Sequence, residues 1–174
     1  MSDKLYVGIG HKARQGKNTF ADALHAQMPD SRIIGFADAL KVVCRDLYGM
    51  KEKDPELLQR VGILMRKEYG DDVWIRELAF TVKCVPESII IIPDVRFPNE
   101  ADFIKRNEGF LVHAQRLNPD GTPFIASDRD PAHISETALD GFTDWDYSFT
   151  ARTPEEVAQH ALEFSRFLGL ARAA

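Results

Sequence analysis

A glycine-rich segment near the start of the chain has the composition of a phosphate-binding loop. Residues 10–19, which we call the phosphate loop, read GHKARQGKNT and stand between an apolar run at 5–8 and a predicted helix. Glycines let backbone amides turn toward an anion, while a helix N-terminus and a lysine add positive charge. The phosphate-binding residues predicted here are Gly10, Lys12, Arg14, Gly16, Lys17, Asn18 and Thr19.

This segment departs from the usual phosphate-loop pattern in two ways. Gly10 and Gly16 enclose five residues where four are usual, and Asn18 stands where Ser or Thr commonly follows the lysine. An amide oxygen is a poorer magnesium ligand than a hydroxyl, so we expect Thr19 or a bridging water to take that place. Which glycine makes the tight turn stays open, and an ordinary glycine turn with polar caps is the alternative interpretation.

A second polar cluster follows the four consecutive isoleucines at 89–92. Asp94 stands at the C-terminal end of this predicted strand, where open α/β sheets place their ligands. Its carboxylate can hold magnesium directly or through water, and Arg96 can grip a phosphate with its planar guanidinium. The alternative is an ordinary salt bridge between these two side chains.

Polar side chains at helical spacing follow the second predicted strand. Lys41 and Arg45 share one helix face, and Gln59, Gly62 and Arg66 form another stripe. Glycine inside a helix costs about 1 kcal/mol relative to alanine, so we expect a ligand or a neighbouring helix close to Gly62. These residues predict a substrate-binding surface, although a solvated helix face is an equal alternative for Lys41 and Arg45.

A long polar stretch from 117 to 134 is predicted to be a loop. Loops of this length in compact domains are commonly functional or disordered. Arg116 before it and Arg129 within it could close over a triphosphate and neutralise charge on the transferred group. We expect His133 and Glu136 to position the loop, since phosphoryl transfer has little need of a strong base.

Short apolar runs alternate with amphipathic stretches, which is typical of an α/β sheet covered by helices. The isoleucine run should form a central parallel strand that is buried on both faces. Strands are predicted near 5–8, 32–36, 88–92, 110–115 and 147–150. Helices are predicted after Lys17, over 38–48, 55–69 and 72–83, from near Asn99, and after the cap Thr153.

Composition narrows the class of protein. The 174 residues can bury one sizeable core, and the net charge of −5 argues against a surface that grips long nucleic acid. Cys44 and Cys84 have no spacing suited to zinc or to a disulfide framework. We therefore expect a protein of a reducing compartment, with both cysteine side chains buried in its core. We find no leader peptide or membrane span in the sequence and predict a cytoplasmic protein.

The chain resembles the bacteriophage deoxynucleoside monophosphate kinases, which have the P-loop nucleoside monophosphate kinase fold. The resemblance rests on the phosphate loop, Phe36-Ala37 with Lys41, 58–66 followed by Asp72-Val73-Trp74, 94–100, and His133-Ile134-Ser135-Glu136. It implies that ATP binds at the phosphate loop, that helices after Phe36 bind a nucleoside monophosphate, and that an arginine-bearing lid closes the site.

The resemblance leads to a full set of expectations. We expect an α/β three-layer P-loop kinase fold with a five-stranded parallel sheet, a helical monophosphate-binding region and a lid loop. The single domain 1–174 would have its core at about 1–36, 84–116 and 145–174, acceptor-binding helices at about 37–83 and a lid at about 117–136. The reaction would transfer the γ-phosphoryl group of ATP to a nucleoside monophosphate, with a deoxynucleotide favoured.

Each site residue has an expected role. The catalytic residues would be Lys17, Arg96, Arg116 and Arg129. The substrate-binding residues would be Lys41, Arg45, Gln59, Arg66, Trp74, Asp94, Arg96 and Glu136. Mg²⁺ would be held by Thr19 and Asp94, in part through water, and Arg152 would lie beside the adenine by analogy with related folds.

The sequence leaves three other functions open. A kinase of the phosphomevalonate or dephospho-coenzyme A type would keep the same loop and differ in the acceptor pocket. A kinase of modified bases in DNA would need a basic groove, which the acidic balance disfavours. A non-catalytic ATP-binding switch is the third alternative, given Asn18. A homodimer is compatible with the sequence.

Overall fold

The computed structural model describes residues 4–128 and 130–171 and has an α/β architecture. The strands are β1 (Leu5–Gly10), β2 (Ser31–Ile33), β3 (Ile89–Val95), β4 (Phe110–Arg116) and β5 (Tyr147–Ala151). The helices are α1 (Lys17–Gln27), α2 (Ala37–Tyr48), α3 (Pro55–Tyr69), α4 (Val73–Lys83), α5 (Pro98–Arg106), α6 (Ile134–Thr137) and α7 (Pro154–Ala171). All strand pairs are parallel, in the order β2-β3-β1-β4-β5, which confirms the predicted five-stranded sheet.

The isoleucine run of β3 divides between two apolar cores, one on each face of the sheet. Ile90 and Ile92 pack in the core that also contains side chains of α2 to α5. Ile89 and Ile91 pack in the core formed with α1 and α7. Each buried isoleucine stabilises the fold by about 1.5–3 kcal/mol, so β3 is a rigid support for the polar residues at its end. The predicted central, doubly covered strand is confirmed.

The sheet topology brings the two predicted polar clusters together. β1 pairs with β3 on one side and with β4 on the other, so the phosphate loop after β1 lies beside the end of β3. The connection from β2 to β3 carries α2, α3 and α4, which we call the acceptor helices. Ligands in open α/β sheets bind where the connections diverge at the carboxyl ends of the strands. This edge is therefore the expected position of a ligand.

Local elements differ from the sequence prediction at three places. β2 ends at Ile33 and not at residue 36, because the following backbone turns to begin α2. β3 continues to Val95, so Asp94 lies within the strand. The predicted loop before residue 137 ends in the one-turn helix α6. Four residues are too few to show helical periodicity in a sequence.

The cysteines also differ from one another. Cys44 is buried in the core, as predicted, but Cys84 is exposed at the C-terminal end of α4. The expectation that both are buried was therefore wrong for Cys84.

Among the helices of the described chain, none is long and apolar enough to cross a membrane.

Candidate functional site

A cavity of about 820 Å³ opens at the C-terminal edge of the sheet, between the phosphate loop and the acceptor helices. This volume is within the range of about 300–1,000 Å³ that is usual for small-molecule sites. The predicted site residues that line it are Arg14, Gly16, Lys17, Asn18, Thr19, Lys41, Gln59, Arg66, Trp74, Asp94, Arg96, Arg116, Glu136 and Arg152. The fold therefore brings the phosphate loop and the acceptor helices to one shared space.

Two loop residues predicted to bind phosphate lie away from this cavity. Gly10 is the last residue of β1, and an added Cβ would lie 2.5 Å from the ring of Trp145. The Lys12 ammonium pairs with Asp140 at 2.7 Å. His11 also faces Asp140, at 3.1 Å from Nε2, and burial lowers the pKa of its imidazole. This side of the loop packs against the protein, since the loop turns only after these residues.

Two predicted arginines are also not placed in the cavity. Arg45 lies on the exposed part of α2, where its guanidinium is 2.7 Å from the carboxylate of Asp46. It follows Lys41 by one helical turn, and the helix has by then moved past the cavity. Arg129 lies outside the described residues.

The backbone of the phosphate loop forms a turn around a buried lysine. Gly16 has a φ of 87°, a left-handed conformation that glycine adopts without strain, so it makes the tight turn. Lys17 follows as the first residue of α1 and is 6% exposed. Its Nζ donates to the carbonyl oxygens of His11, at 3.4 Å, and Lys12. The start of α1 lines the cavity, and no side chain of the described residues caps it, so its first amides are available as anion donors.

Gln15 fixes the loop to the far side of the cavity. Its Oε1 accepts from the backbone N–H of Arg116 at 2.6 Å, and its Nε2 donates to the carbonyl of Phe124 at 3.0 Å. The guanidinium of Arg116 stacks on the Phe124 ring at 4.4 Å. Gln15 was not predicted as a site residue, because nothing in its local sequence indicates partners about a hundred positions away.

Asp94 is bound to the start of α2. Its two carboxylate oxygens accept from the backbone N–H groups of Phe36 and Ala37, each at 2.9 Å. A Cβ at Gly35 would lie 2.6 Å from the Asp94 carboxylate, so this approach requires glycine. The structure thus gives Asp94 a helix-capping role and not the salt bridge to Arg96 considered as an alternative. Each oxygen has a second lone pair that can point toward the cavity.

A buried ion pair supports the turn that carries Arg96. The guanidinium of Arg66 binds Glu100, stacks on the Phe97 ring at 4.0 Å and donates to the carbonyl of Asp71. Glu100 also accepts from the backbone N–H groups of Arg96, at 2.7 Å, and Phe97, at 3.2 Å. Burial raises the pKa of Glu100 to about 7, against the opposing effect of Arg66. Arg66 therefore reaches the cavity with its charge already paired.

Glu100 was missed as a site residue, although its sequence context carried a signal. Pro98 and Glu100 occupy the first and third positions of α5, and Glu100 makes the glutamate half of a capping box by accepting from the N–H of the cap residue Phe97. Such a glutamate accepts hydrogen bonds from the backbone before its helix. The signal could have predicted the contacts to the turn but not the pairing with Arg66.

Glu136 contacts both the phosphate loop and Arg96. One carboxylate oxygen accepts from the backbone N–H of Ala13 at 2.8 Å, and the other from Nη1 of Arg96 at 2.8 Å. Glu136 is 5% exposed. Next to it, the hydroxyl of Ser135 lies 3.4 Å from the amide nitrogen of Gln59 on α3. The one-turn helix α6 thus touches three sides of the cavity.

The acceptor helices give the cavity an apolar side. Trp74 is 4% exposed, and its ring N–H is 3.4 Å from the carbonyl of Gly62. A Cβ at Gly62 would lie 3.2 Å from Leu40, so this glycine allows α2 and α3 to pack closely. Lys41 pairs with Asp38 at 2.7 Å at the edge of the cavity. An aromatic and aliphatic surface of this kind can hold the flat face of a ring.

Two residues could contribute to a magnesium site. Within the described residues there is no group of three or more His, Cys, Asp or Glu side chains suited to hold a metal ion. Mg²⁺ commonly uses one or two protein ligands and takes the others from phosphates and water. Thr19 and Asp94 both line the cavity, and a hydroxyl with a carboxylate is a donor set that fits Mg²⁺ bound together with a nucleotide.

Comparisons with known proteins agree with a kinase. A scan against models of protein families finds no match. A protein of Acanthamoeba polyphaga mimivirus, named "Putative deoxynucleotide monophosphate kinase", is 31% identical in an alignment that covers 64% of this chain and 70% of the viral protein. Since this relative comes from a mimivirus, a bacteriophage origin stays a prediction.

One solved structure shares the fold, and a second is a weaker match. A "putative kinase" from Chloroflexus aurantiacus aligns with a TM-score of 0.51 and 15% identity over 95% of this chain and 98% of that chain. The APS kinase CysC of Mycobacterium tuberculosis, in complex with AMPPNP and APS, aligns with a TM-score of 0.47 and 12% identity over 92% of this chain and 96% of that chain. The first likeness shows the fold, which confirms the predicted P-loop kinase architecture.

Proposed function

Because this chain belongs to the deoxynucleotide monophosphate kinase family that its mimivirus relative represents, we propose that it phosphorylates nucleoside monophosphates with ATP, with deoxynucleotides favoured. An oxygen of the acceptor phosphate attacks the γ-phosphorus of ATP, and the bond from that phosphorus to the β-phosphate oxygen breaks. The products are ADP and a nucleoside diphosphate. The observation that carries the proposal is one cavity lined by both the phosphate loop and Arg96.

The phosphate loop binds ATP in this proposal. Phosphate oxygens replace the carbonyls that now accept from Lys17, and the amides at the start of α1 donate to the same phosphates. Mg²⁺, held by Thr19 and Asp94 in part through water, neutralises charge on the outer phosphates when bound. Arg152, which lines the cavity after β5, lies beside the adenine.

The acceptor binds between Arg96 and the acceptor helices. Arg96 holds the acceptor phosphate through a charge-assisted hydrogen bond. Arg66 supports it from behind, since its guanidinium already binds Glu100, and reaches the phosphate with its other N–H groups. The base and sugar lie along Trp74 and Gln59, with Lys41 at the cavity edge.

The lid completes the site in the same proposal. The sheet and its covering helices form the core, the acceptor helices span about 37–83, and the lid spans about 117–136. Arg116 enters from the base of the lid, next to Gln15. The expected contribution of Arg129 stays a prediction, as do a homodimer and a cytoplasmic location.

A coupled ADP-release assay across the common ribo- and deoxynucleoside monophosphates tests the proposal. We expect ADP release that depends on the monophosphate, with Lys17→Met as the control for contaminating kinases. Turnover with phosphomevalonate or dephospho-coenzyme A as the acceptor, and none with any nucleoside monophosphate, would indicate the metabolite-kinase alternative. ATP binding by calorimetry without turnover on any acceptor would indicate a non-catalytic switch.

A further inference from the structure

We propose that Glu136 is a positioning residue, which orients Arg96 toward the acceptor phosphate by tying its guanidinium to the phosphate loop. The inference rests on the proposed function and assigns a role to a side chain that need not touch either substrate. Its basis is the double contact of one buried carboxylate, at 2.8 Å to the Ala13 N–H and at 2.8 Å to the Arg96 guanidinium.

Glu136 binds only one nitrogen of the Arg96 guanidinium. Among the described residues, the guanidinium of Arg96 donates only through Nη1, to Glu136 at 2.8 Å and to the carbonyl of Ser135 at 3.4 Å. A guanidinium has five N–H donors in a planar fork, so Nη2 and Nε can still bind a phosphate. The Arg96 side chain is 19% exposed, and Arg96 lines the cavity. Glu136 therefore holds one end of the fork and leaves the other for a ligand.

Glu136 is itself held by the structure of α6. The His133 side chain accepts from the backbone N–H of Ser135 at 3.1 Å, which caps this short helix. The backbone N–H of Glu136 donates to the carbonyl of His133 at 2.8 Å. Because the backbone of α6 is fixed at this point, the Glu136 carboxylate can hold the Arg96 guanidinium at a constant position relative to the phosphate loop.

This arrangement matters for transfer because donor and acceptor must meet in line. Arginine has many rotamers, so without a fixed partner the Arg96 guanidinium would be free to adopt several orientations. Holding the acceptor phosphate in the reactive geometry affects the rate more than it affects ATP binding. Loss of Glu136 should therefore lower kcat and the acceptor kcat/KM while the KM for ATP changes little.

A double-mutant cycle of Glu136→Ala and Arg96→Ala tests this role. In E136A we expect kcat/KM for the best monophosphate to fall by about 10- to 100-fold, with the KM for ATP within about threefold of wild type. The double variant should be no more than about twofold worse than R96A, because Glu136 acts through Arg96. The exposed Glu77→Ala on α4 is the matched control and should stay within about twofold of wild type.

Glu136→Gln keeps the test valid if the alanine variant does not fold. Its amide replaces one of the two oxygens with an NH2 donor, so it can accept at the position that faces Ala13 or at the one that faces Arg96 but not at both. We expect an intermediate loss in kcat, and the cycle is then measured as E136Q with R96A. Thermal melting of each variant separates a loss of positioning from a loss of fold.

Three results would overturn the inference. Wild-type turnover that is unchanged in E136A and E136Q removes the role while leaving the proposed function intact. Additive losses in the double variant would mean that Glu136 does not act through Arg96. Tighter ATP binding in E136A would mean that the carboxylate competes with phosphate for the Ala13 N–H. Absence of wild-type turnover on every monophosphate would instead defeat the proposed function, and the inference with it.

Discussion

Lys17 of the phosphate loop and the two arginines on the acceptor side of the cavity are held in different ways. The ammonium of Lys17 donates to neutral backbone carbonyls of its own loop. Arg66 and Arg96 are instead bound to the carboxylates of Glu100 and Glu136. Phosphate can replace a carbonyl at little electrostatic cost, whereas it must share a paired arginine with a carboxylate. Lys17 can therefore exchange its carbonyl partners for phosphate, whereas the carboxylates keep the two arginines in fixed orientations.

This difference predicts where each region is vulnerable. Removing the Lys17 ammonium should affect the chemistry and leave the fold intact, because its bonds to the carbonyls of His11 and Lys12 lie within one loop. Removing a paired arginine leaves a buried carboxylate without its partner, which costs about 3–5 kcal/mol in comparable cases.

Lys17→Met should have the largest effect, on activity alone. We expect kcat to fall by about 1,000-fold, roughly 4 kcal/mol of transition-state stabilisation, since the ammonium acts on phosphates whose charge shifts during transfer. The melting temperature should stay within a few degrees of wild type. The exposed Lys83→Met on α4 is the control. A variant that retains more than about a tenth of the wild-type kcat would argue against the phosphate-loop assignment.

Arg66→Ala and Arg96→Ala should separate stability from substrate binding. Arg66→Ala leaves Glu100 buried without its partner, so we expect a loss of about 3 kcal/mol in the free energy of unfolding. Arg96→Ala should destabilise less, because its side chain is partly exposed, but should raise the acceptor KM by about tenfold or more. Urea denaturation and steady-state kinetics measure the two effects. A raised KM for ATP with an unchanged acceptor KM in R96A would reverse the proposed assignment.

Glu100 predicts a pH dependence of stability in the same region. Its pKa is about 7 in the fold, above the ordinary value of 4.5. The folded state therefore binds more protons between these values, and the stabilising contribution present at low pH is lost as the pH rises through about 7. Relative to Glu100→Gln, the wild type should lose up to about 3 kcal/mol between pH 5 and 8.

Urea denaturation of both proteins at pH 5, 6, 7 and 8 measures this difference, with the exposed Glu77→Gln as the control. A constant difference between wild type and E100Q across this range would mean that Arg66 keeps Glu100 ionised throughout. Arg66 and Glu100 would then form a permanent ion pair and not one that titrates between pH 5 and 8.

The same comparison explains what the sequence could predict. The phosphate loop and the isoleucine strand are local patterns of glycine, lysine and β-branched residues. The strand is confirmed, and the loop turns at Gly16 immediately before α1. The contacts on the acceptor side join positions far apart in the chain, such as Glu136 with Ala13 and Glu100 with Arg66. No local spacing encodes such a pair, so their partners appear only when the sheet brings β1 and β3 together.

The smallest expected effect concerns the lid, which touches both regions. Its Asn118 N–H donates to the carbonyl of Thr122 at 2.8 Å in a tight turn, and its Asp128 pairs with Arg14 at 2.6 Å on the exposed side. Apart from the bonds that anchor Leu117 to Ala151 and Phe124 to Gln15, these contacts are local or solvent-exposed, so we expect most amides of 117–128 to exchange quickly without ligand.

A bisubstrate analogue, an adenosine joined through phosphates to the best monophosphate, should slow hydrogen exchange in 117–128 by about tenfold, because phosphates give Arg116 and Arg14 new partners. Exchange in β3, which is buried on both faces, should not change and is the internal control. Lys17→Met with the same analogue should show less protection in the lid. Equal protection with and without the analogue would mean that the lid is a fixed element, and that the donor and acceptor sides are joined by Glu136 and not by closure.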